Sequence, residues 1–166
     1  MNFLKGINES VGKNISWIII IMVVVQIIIV LARYVFGIGF IKLQELMIYM
    51  HGMLFTLASG YTLLHDEHVR VDVIYRESSL RYKSYINFFG SIFLLFPFIY
   101  ILIKTSLPYV QRSWRILEGS PVTSGLNATY ILKTVLIIFP LLLFIQAIVL
   151  LIDSIKNIRK IHGRSS

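Results

Sequence analysis

Few side chains in this 166-residue sequence have the chemistry of a reaction centre, and their spacing restricts what they can do. There is no cysteine, which excludes disulfides, thiolate zinc sites, iron–sulfur clusters and cysteine nucleophiles. His51 and His65 stand about 21 Å apart along a helix, a spacing that would suit ligands to two stacked haems. Each haem would need a second axial ligand, yet the other apolar runs contain no histidine, and Met22 could serve only one. A b-type haem electron carrier is therefore the weaker alternative. His65-Asp66-Glu67-His68 places histidines at i and i+3, as a metal site would, but the cluster falls where an apolar run ends. A solvated polar turn accounts for it better. No cofactor is expected. With no nucleophile–base pair and no glycine-rich phosphate loop, an enzyme is not expected either.

The elements that must carry these residues are apolar. Hydrophobic residues make up 57% of the chain and charged residues only 14%, against roughly 25% in soluble domains. The charges crowd between four runs, residues 15–32, 46–64, 86–103 (with an extension toward 117) and 131–152. Eighteen residues of helix reach about 27 Å, close to the ~30 Å of a hydrocarbon core. Prolines 97 and 140 sit inside such runs, which membranes tolerate and water-exposed helices do not. The sequence thus predicts an all-α integral membrane protein with four transmembrane helices in one membrane domain. The first run is too long for a signal-peptide core and lacks a small-x-small site, so it reads as a retained anchor. The formal charge of +8 lies in short blocks flanking the runs, which suits anionic lipid headgroups and not nucleic acid. Ten Lys and Arg fall on the side of the two termini and the middle connection, and five on the other, so both termini are expected in the cytoplasm. The connection at 69–76 mixes apolar groups with both charge signs and is expected to lie flat at the interface.

Polar groups within the runs are sparse. Gln26 is mid-run, where an amide seeks a partner helix. Lys133 is two residues into the fourth run and can reach the interface or an outside carboxylate. No Asp or Glu lies in any run, whereas ion-coupled carriers place carboxylates or broken helices near the bilayer centre. An accessory role follows more naturally than a complete carrier, and a small self-associating transporter is the third alternative.

Arg33-Tyr34-Val35-Phe36-Gly37 closes the first run and Gln44-Glu45-Leu46 opens the second; His68-Val69-Arg70-Val71-Asp72-Val73-Ile74-Tyr75 follows it. Ser113-Trp114, Glu118, Ser120-Pro121, Gly125-Leu126, Tyr130 and Lys133 precede or open the fourth. In that order and spacing, across nearly the whole chain, these residues resemble the small membrane subunit of tripartite ATP-independent periplasmic (TRAP) transporters, the DctQ-like family. Two positions depart: Ile41-Lys42-Leu43 stands where the family often has a tryptophan, and Asn127 where it often has a proline. The resemblance implies a scaffold subunit in the bacterial inner membrane. Its implied partners are the lipid bilayer, a large multi-span permease subunit on a separate chain, and a periplasmic substrate-binding protein. Together they drive sodium-coupled uptake of an organic anion. The residues it marks as partner-interface candidates are Arg33, Tyr34, Phe36, Gly37, Glu45, Arg70, Asp72, Tyr75, Trp114, Glu118 and Lys133. Arg33 and Glu45 flank one short connection and are expected to pair or to meet partner charges. Glu118 and Lys133 flank another and are expected to pair.

Overall fold

A helix satisfies its own backbone N–H and C=O groups, so it is the form an isolated apolar run takes away from water. The computed structural model describes residues 2–67 and 78–162, and its regular structure among them is entirely helical. The elements are α1 (Asn2–Tyr34), α2 (Ile41–Leu57), α3 (Ser59–Leu64), α4 (Leu80–Gly90), a π turn (Ser91–Leu95), α5 (Phe96–Arg115) and α6 (Thr129–His162). The start of α1 meets the end of α6 through Lys5 and Asp153, 2.9 Å apart, and this defines the terminal end of the bundle. Glu45 at the start of α2 meets the connection between α5 and α6 at the opposite, far end. The interfacial segment expected at 69–76 lies outside the described residues.

Among the described residues, three stretches are long and apolar enough to cross a membrane: Phe3–Tyr34, Leu80–Arg115 and Thr129–Ile161. The second apolar run is different. α2 has 17 residues, and the run is interrupted at Ala58, where Ser59 Oγ donates to the Thr56 carbonyl at 2.7 Å. Such a hydroxyl competes with the backbone ladder. Ala58 keeps right-handed helical torsions (φ −69°, ψ −16°), so α3 continues close behind α2.

The third pass widens into the π turn just before Pro97. Proline has no N–H to give, and its ring crowds the preceding carbonyl. Phe96 N–H reaches back five residues to Ser91 O, and the wide turn absorbs the misfit. At its far end, α5 is stopped by Leu117 in the left-handed region (φ 44°), with Glu118 N–H on Ser113 O at 3.0 Å and Leu117 N–H on Trp114 O at 3.3 Å. This is a Schellman closure. Gly119 and Pro121, the sequence's stop signals, come just after it. α3 ends in the same way at Asp66 (φ 61°). α1 ends at Gly37 (φ 67°), which lets Ile38 N–H return to Ala32 O at 2.9 Å.

α6 is the axis. It packs against every other helix, and 39% of its apolar window is buried, against 11% in each of the other two long stretches. Its Leu143 and Ala147 form the core with Ile99 of α5, flanked by Leu63 and Phe96. α1, by contrast, leaves Ile20, Val24, Ile27 and Leu31 about half exposed along one face. A soluble protein rarely shows so continuous an apolar face.

α1 crosses α3 where Gly12 admits the Tyr61 ring; a Cβ there would fall inside the ring. Gly12→Ala should therefore force Tyr61 out of its seat and cost about 1–3 kcal/mol. The check is the thermal unfolding midpoint of the detergent-solubilised chain, with Gly6→Ala, which meets nothing within 4 Å and should be unchanged or slightly stabilised, as the control for helix propensity.

Candidate functional site

The far end collects the polar residues singled out by the sequence. Trp114 and Glu118 leave α5 on either side of the Leu117 reversal, which turns Glu118 toward α6. Lys133, one turn into α6, places Nζ 2.5 Å from Glu118 Oε2 and 3.9 Å from the centre of the Tyr109 ring. The pair expected from the sequence is thus formed, and the aromatic face adds a cation–π contact. The lysine side chain is only 13% exposed, so this ammonium is held against protein and not in open water. The hydrogen bond from Lys133, helped by the nearby Ser113 hydroxyl, holds the Glu118 carboxyl below its ordinary pKa.

Glu45 is bound differently. Its carboxylate accepts from the Ser120 hydroxyl and from Leu126 N–H, so both oxygens are engaged by the distant α5–α6 connection. Gly125 is required beside it, since a Cβ would strike Ser120 and the Glu45 carboxylate. Ser120 Oγ in turn accepts Val122 N–H at 3.0 Å. Thr129 donates to Gly119 O at 2.9 Å and shares a hydrogen bond of 3.0 Å with Tyr49 OH. Trp114 Nε1 donates to Thr134 Oγ1 at 2.9 Å, and its ring meets Tyr130 edge-on at 4.7 Å. The connection is stitched to α2, α5 and α6 at once.

Arg33 does not join this network. It is exposed, and it makes no ion pair with any described residue. The expected Arg33–Glu45 pairing is not made, because nearer donors already occupy the Glu45 oxygens. Tyr34 and Phe36 are exposed on the same short connection that Gly37 turns. Gln26 is exposed on α1 beside a shallow cleft shared with Met22, Met47 and Leu54, and hydrogen-bonds to no described residue. Arg70, Asp72 and Tyr75 lie outside the described residues. Tyr49 and Thr129 were not singled out by sequence: a tyrosine in an apolar run reads as packing, and only Ser120-Pro121 and Gly125-Leu126 hinted at the loop that Glu45 holds.

At the terminal end, His65 Nε2 lies 2.8 Å from Glu9 Oε2, and its ring packs on Tyr61 at 4.3 Å, so this imidazole is engaged and not open to a haem iron. Among the described residues no three His, Asp or Glu side chains converge as metal ligands would. What the far end can do chemically is brace: Glu45, Glu118 and Lys133 are matched to donors and acceptors that join helices.

The family model for tripartite ATP-independent periplasmic transporters, DctQ component, matches residues 20–157. The chain belongs to this DctQ family. No curated protein and no solved structure matches it. A DctQ protein is a component of a transporter, and the match takes in the whole far-end network from Glu45 to Thr134.

Two measurements test this network in the DctQ chain. Glu45→Ala removes the acceptor for Ser120 and Leu126 and should cost about 1–3 kcal/mol. Thermal midpoints in detergent read the loss, and trypsin should cut faster near Arg112 and Arg115. The Glu118 carboxyl, with its pKa lowered in the folded chain, contributes stability that is complete above its unfolded value of about 4.3 and is lost as pH falls through the depressed value. Thermal midpoints between pH 7 and 3 should therefore fall less steeply in Glu118→Gln than in the parent.

Proposed function

We propose that this DctQ chain is the small, non-catalytic scaffold subunit of a TRAP transporter in the bacterial inner membrane. It pairs with a large multi-span permease subunit and serves a periplasmic binding protein in sodium-driven uptake of an organic anion. The observation that carries the reading is the family match over residues 20–157. Two physical features support a bracing role. The charged contacts cluster at the two ends of the bundle, with Lys5–Asp153 and Glu9–His65 at one and Glu118–Lys133 at the other. Between them, Thr56 of α2 and Thr62 of α3 donate to carbonyls of their own pass, so these hydroxyls are not turned toward a moving ion or carboxylate. Meanwhile α1 offers a long apolar face that a larger subunit or lipid must cover.

The four passes are read as four transmembrane helices, α2 with α3 forming the second. The Lys and Arg counts support a reading with both termini in the cytoplasm. Because the chain has no cysteine, single replacements report sidedness cleanly. A membrane-impermeant maleimide should label Ser124→Cys in intact spheroplasts and Ser166→Cys only after lysis; the reverse pattern would overturn the orientation.

The function itself is tested by gentle solubilisation and by uptake. The tagged chain should bring down a much larger hydrophobic partner, and deletion of the chain should abolish sodium-dependent uptake of the organic anion. Recovery of a lone chain with uptake intact would defeat the scaffold reading. Solute flux in vesicles holding this chain alone would favour the self-associating transporter.

A further inference from the structure

α5 turns one side into the bundle and the other away from it. Ile99, Val110 and Ser113 are buried on the inner side. On the outer side Lys104, Pro108, Gln111 and Arg115 are all exposed, and at 100° per residue they fall within an arc of about 60°. Arg112 stands at the edge of this stripe and is also exposed. Lys104, Arg112 and Arg115 make no ion pair with any described residue. Nearer the terminal end the same side becomes apolar, with Pro97, Tyr100 and Ile101 exposed.

Exposed charge is ordinary where a helix stands in water, but Lys104 stands deeper. Asn87, on the helix that leads into α5, lines one pocket with Asp153, just past the fourth apolar run. Phe96 meets Phe144 edge-on at 5.7 Å, and Trp114 bonds Thr134. Lys104 therefore lies abreast of the α6 segment between Phe144 and Thr134, well inside the apolar run at 131–152. At that level α6 turns Ile138 and Leu141 outward, as a lipid environment requires. Ten residues of helix separate Lys104 from Trp114, so the lysine sits about 15 Å below the Trp114–Thr134 bond, half the depth of a hydrocarbon core. Its stem does not climb toward the far end: Nζ lies 5.9 Å from the centre of the Tyr100 ring, one turn back.

An ionised group at this depth faces protein or a water-filled cavity, because hydrocarbon leaves it unsolvated. Among the described residues no carboxylate is left to meet it. Glu45 and Glu118, in the far half, are held by Ser120, Leu126 and Lys133. Glu9, Asp66, Glu67 and Asp153 belong to the terminal end. A second copy in the same membrane would share this orientation, so it too would face Lys104 with no described carboxylate at that level.

We propose, resting on the scaffold reading above, that the outer face of α5 is where the large permease subunit docks. The partner meets Lys104 with a carboxylate sunk in the membrane, and it meets Pro97, Tyr100 and Ile101 with apolar side chains. Gln111 and Arg115 carry the contact on toward the far end.

The test uses this chain co-expressed with a tagged large subunit. Photo-reactive benzoylphenylalanine in place of Ile101 or Gln111 should cross-link to the large subunit in membranes. Lys104→Glu sets two carboxylates face to face and, at equal membrane abundance, should lower the amount of this chain recovered with the large subunit about tenfold. Lys104→Arg should keep recovery near the parent level. Circular dichroism of the isolated Lys104→Glu chain should show helicity unchanged, since Lys104 pairs with no described carboxylate. Lys160→Glu, an equal change of charge at the terminal end, should recover as the parent does. Parent-level recovery of Lys104→Glu, or equal loss from Lys160→Glu, overturns the docking face and leaves the scaffold reading standing. So do cross-links from both α5 positions to lipid or to a second copy while the large subunit still co-purifies. A parent chain that never travels with the large subunit overturns both.

Discussion

Hydrocarbon cannot hydrogen-bond, and the arrangement of this chain follows from that limit. Charged side chains that meet across helices do so where water or headgroups are near, while the buried Asn8 amide on α1 donates directly to Gln146 of α6 at 3.4 Å. Lys5 finds Asp153 and Glu9 finds His65 at the terminal end; Lys133 finds Glu118 and Glu45 finds Ser120 at the far end. Between the ends, Thr56 and Thr62 close on their own carbonyls, and helices meet through shape. Where α1 crosses α3, Gly12 and Tyr61 interlock. Farther along, Leu143 and Ala147 of α6 seat Ile99.

That division separates two tasks. α6 supplies the packing axis, while the α5–α6 connection supplies rigidity at the far end. The connection has little apolar material to bury, so it is fixed by polar attachments to three helices. Glu45 is the most economical of these: one carboxylate takes a hydroxyl and a backbone N–H from the two sides of a turn that Gly125 keeps open. A DctQ protein built in this way has its far end held rigid by polar bonds and its middle by packing.

Much of this was legible in the residues, and the failures have identifiable causes. The apolar runs declare their helices because, Lys133 apart, charge is absent from them. Glu118 and Lys133 declare their pairing because opposite charges flank one short connection. Glu45 misled, since Arg33 stands at the other end of the same short connection, whereas its true partners are a serine 75 positions away and a backbone N–H that carries no residue signature. The break at Ala58 was equally hidden: alanine is the best helix former, and the cause is the hydroxyl of its neighbour Ser59. Leu117 and Asp66 end helices in a conformation usually given to glycine, so the chain's glycines and prolines pointed slightly past the true stops.

The π turn before Pro97 has a geometric consequence for the whole third pass. One extra residue in a turn advances the downstream helix by about 100° about its axis. Ser84, Ser91, Ile99, Val110 and Ser113 are all buried, and at 100° per residue they fall within an arc of about 100° with or without that step. The wide turn therefore takes up the misfit at Pro97 without swinging the buried side of this long rod away from its neighbours, like a slip joint that gives while the shaft stays aligned.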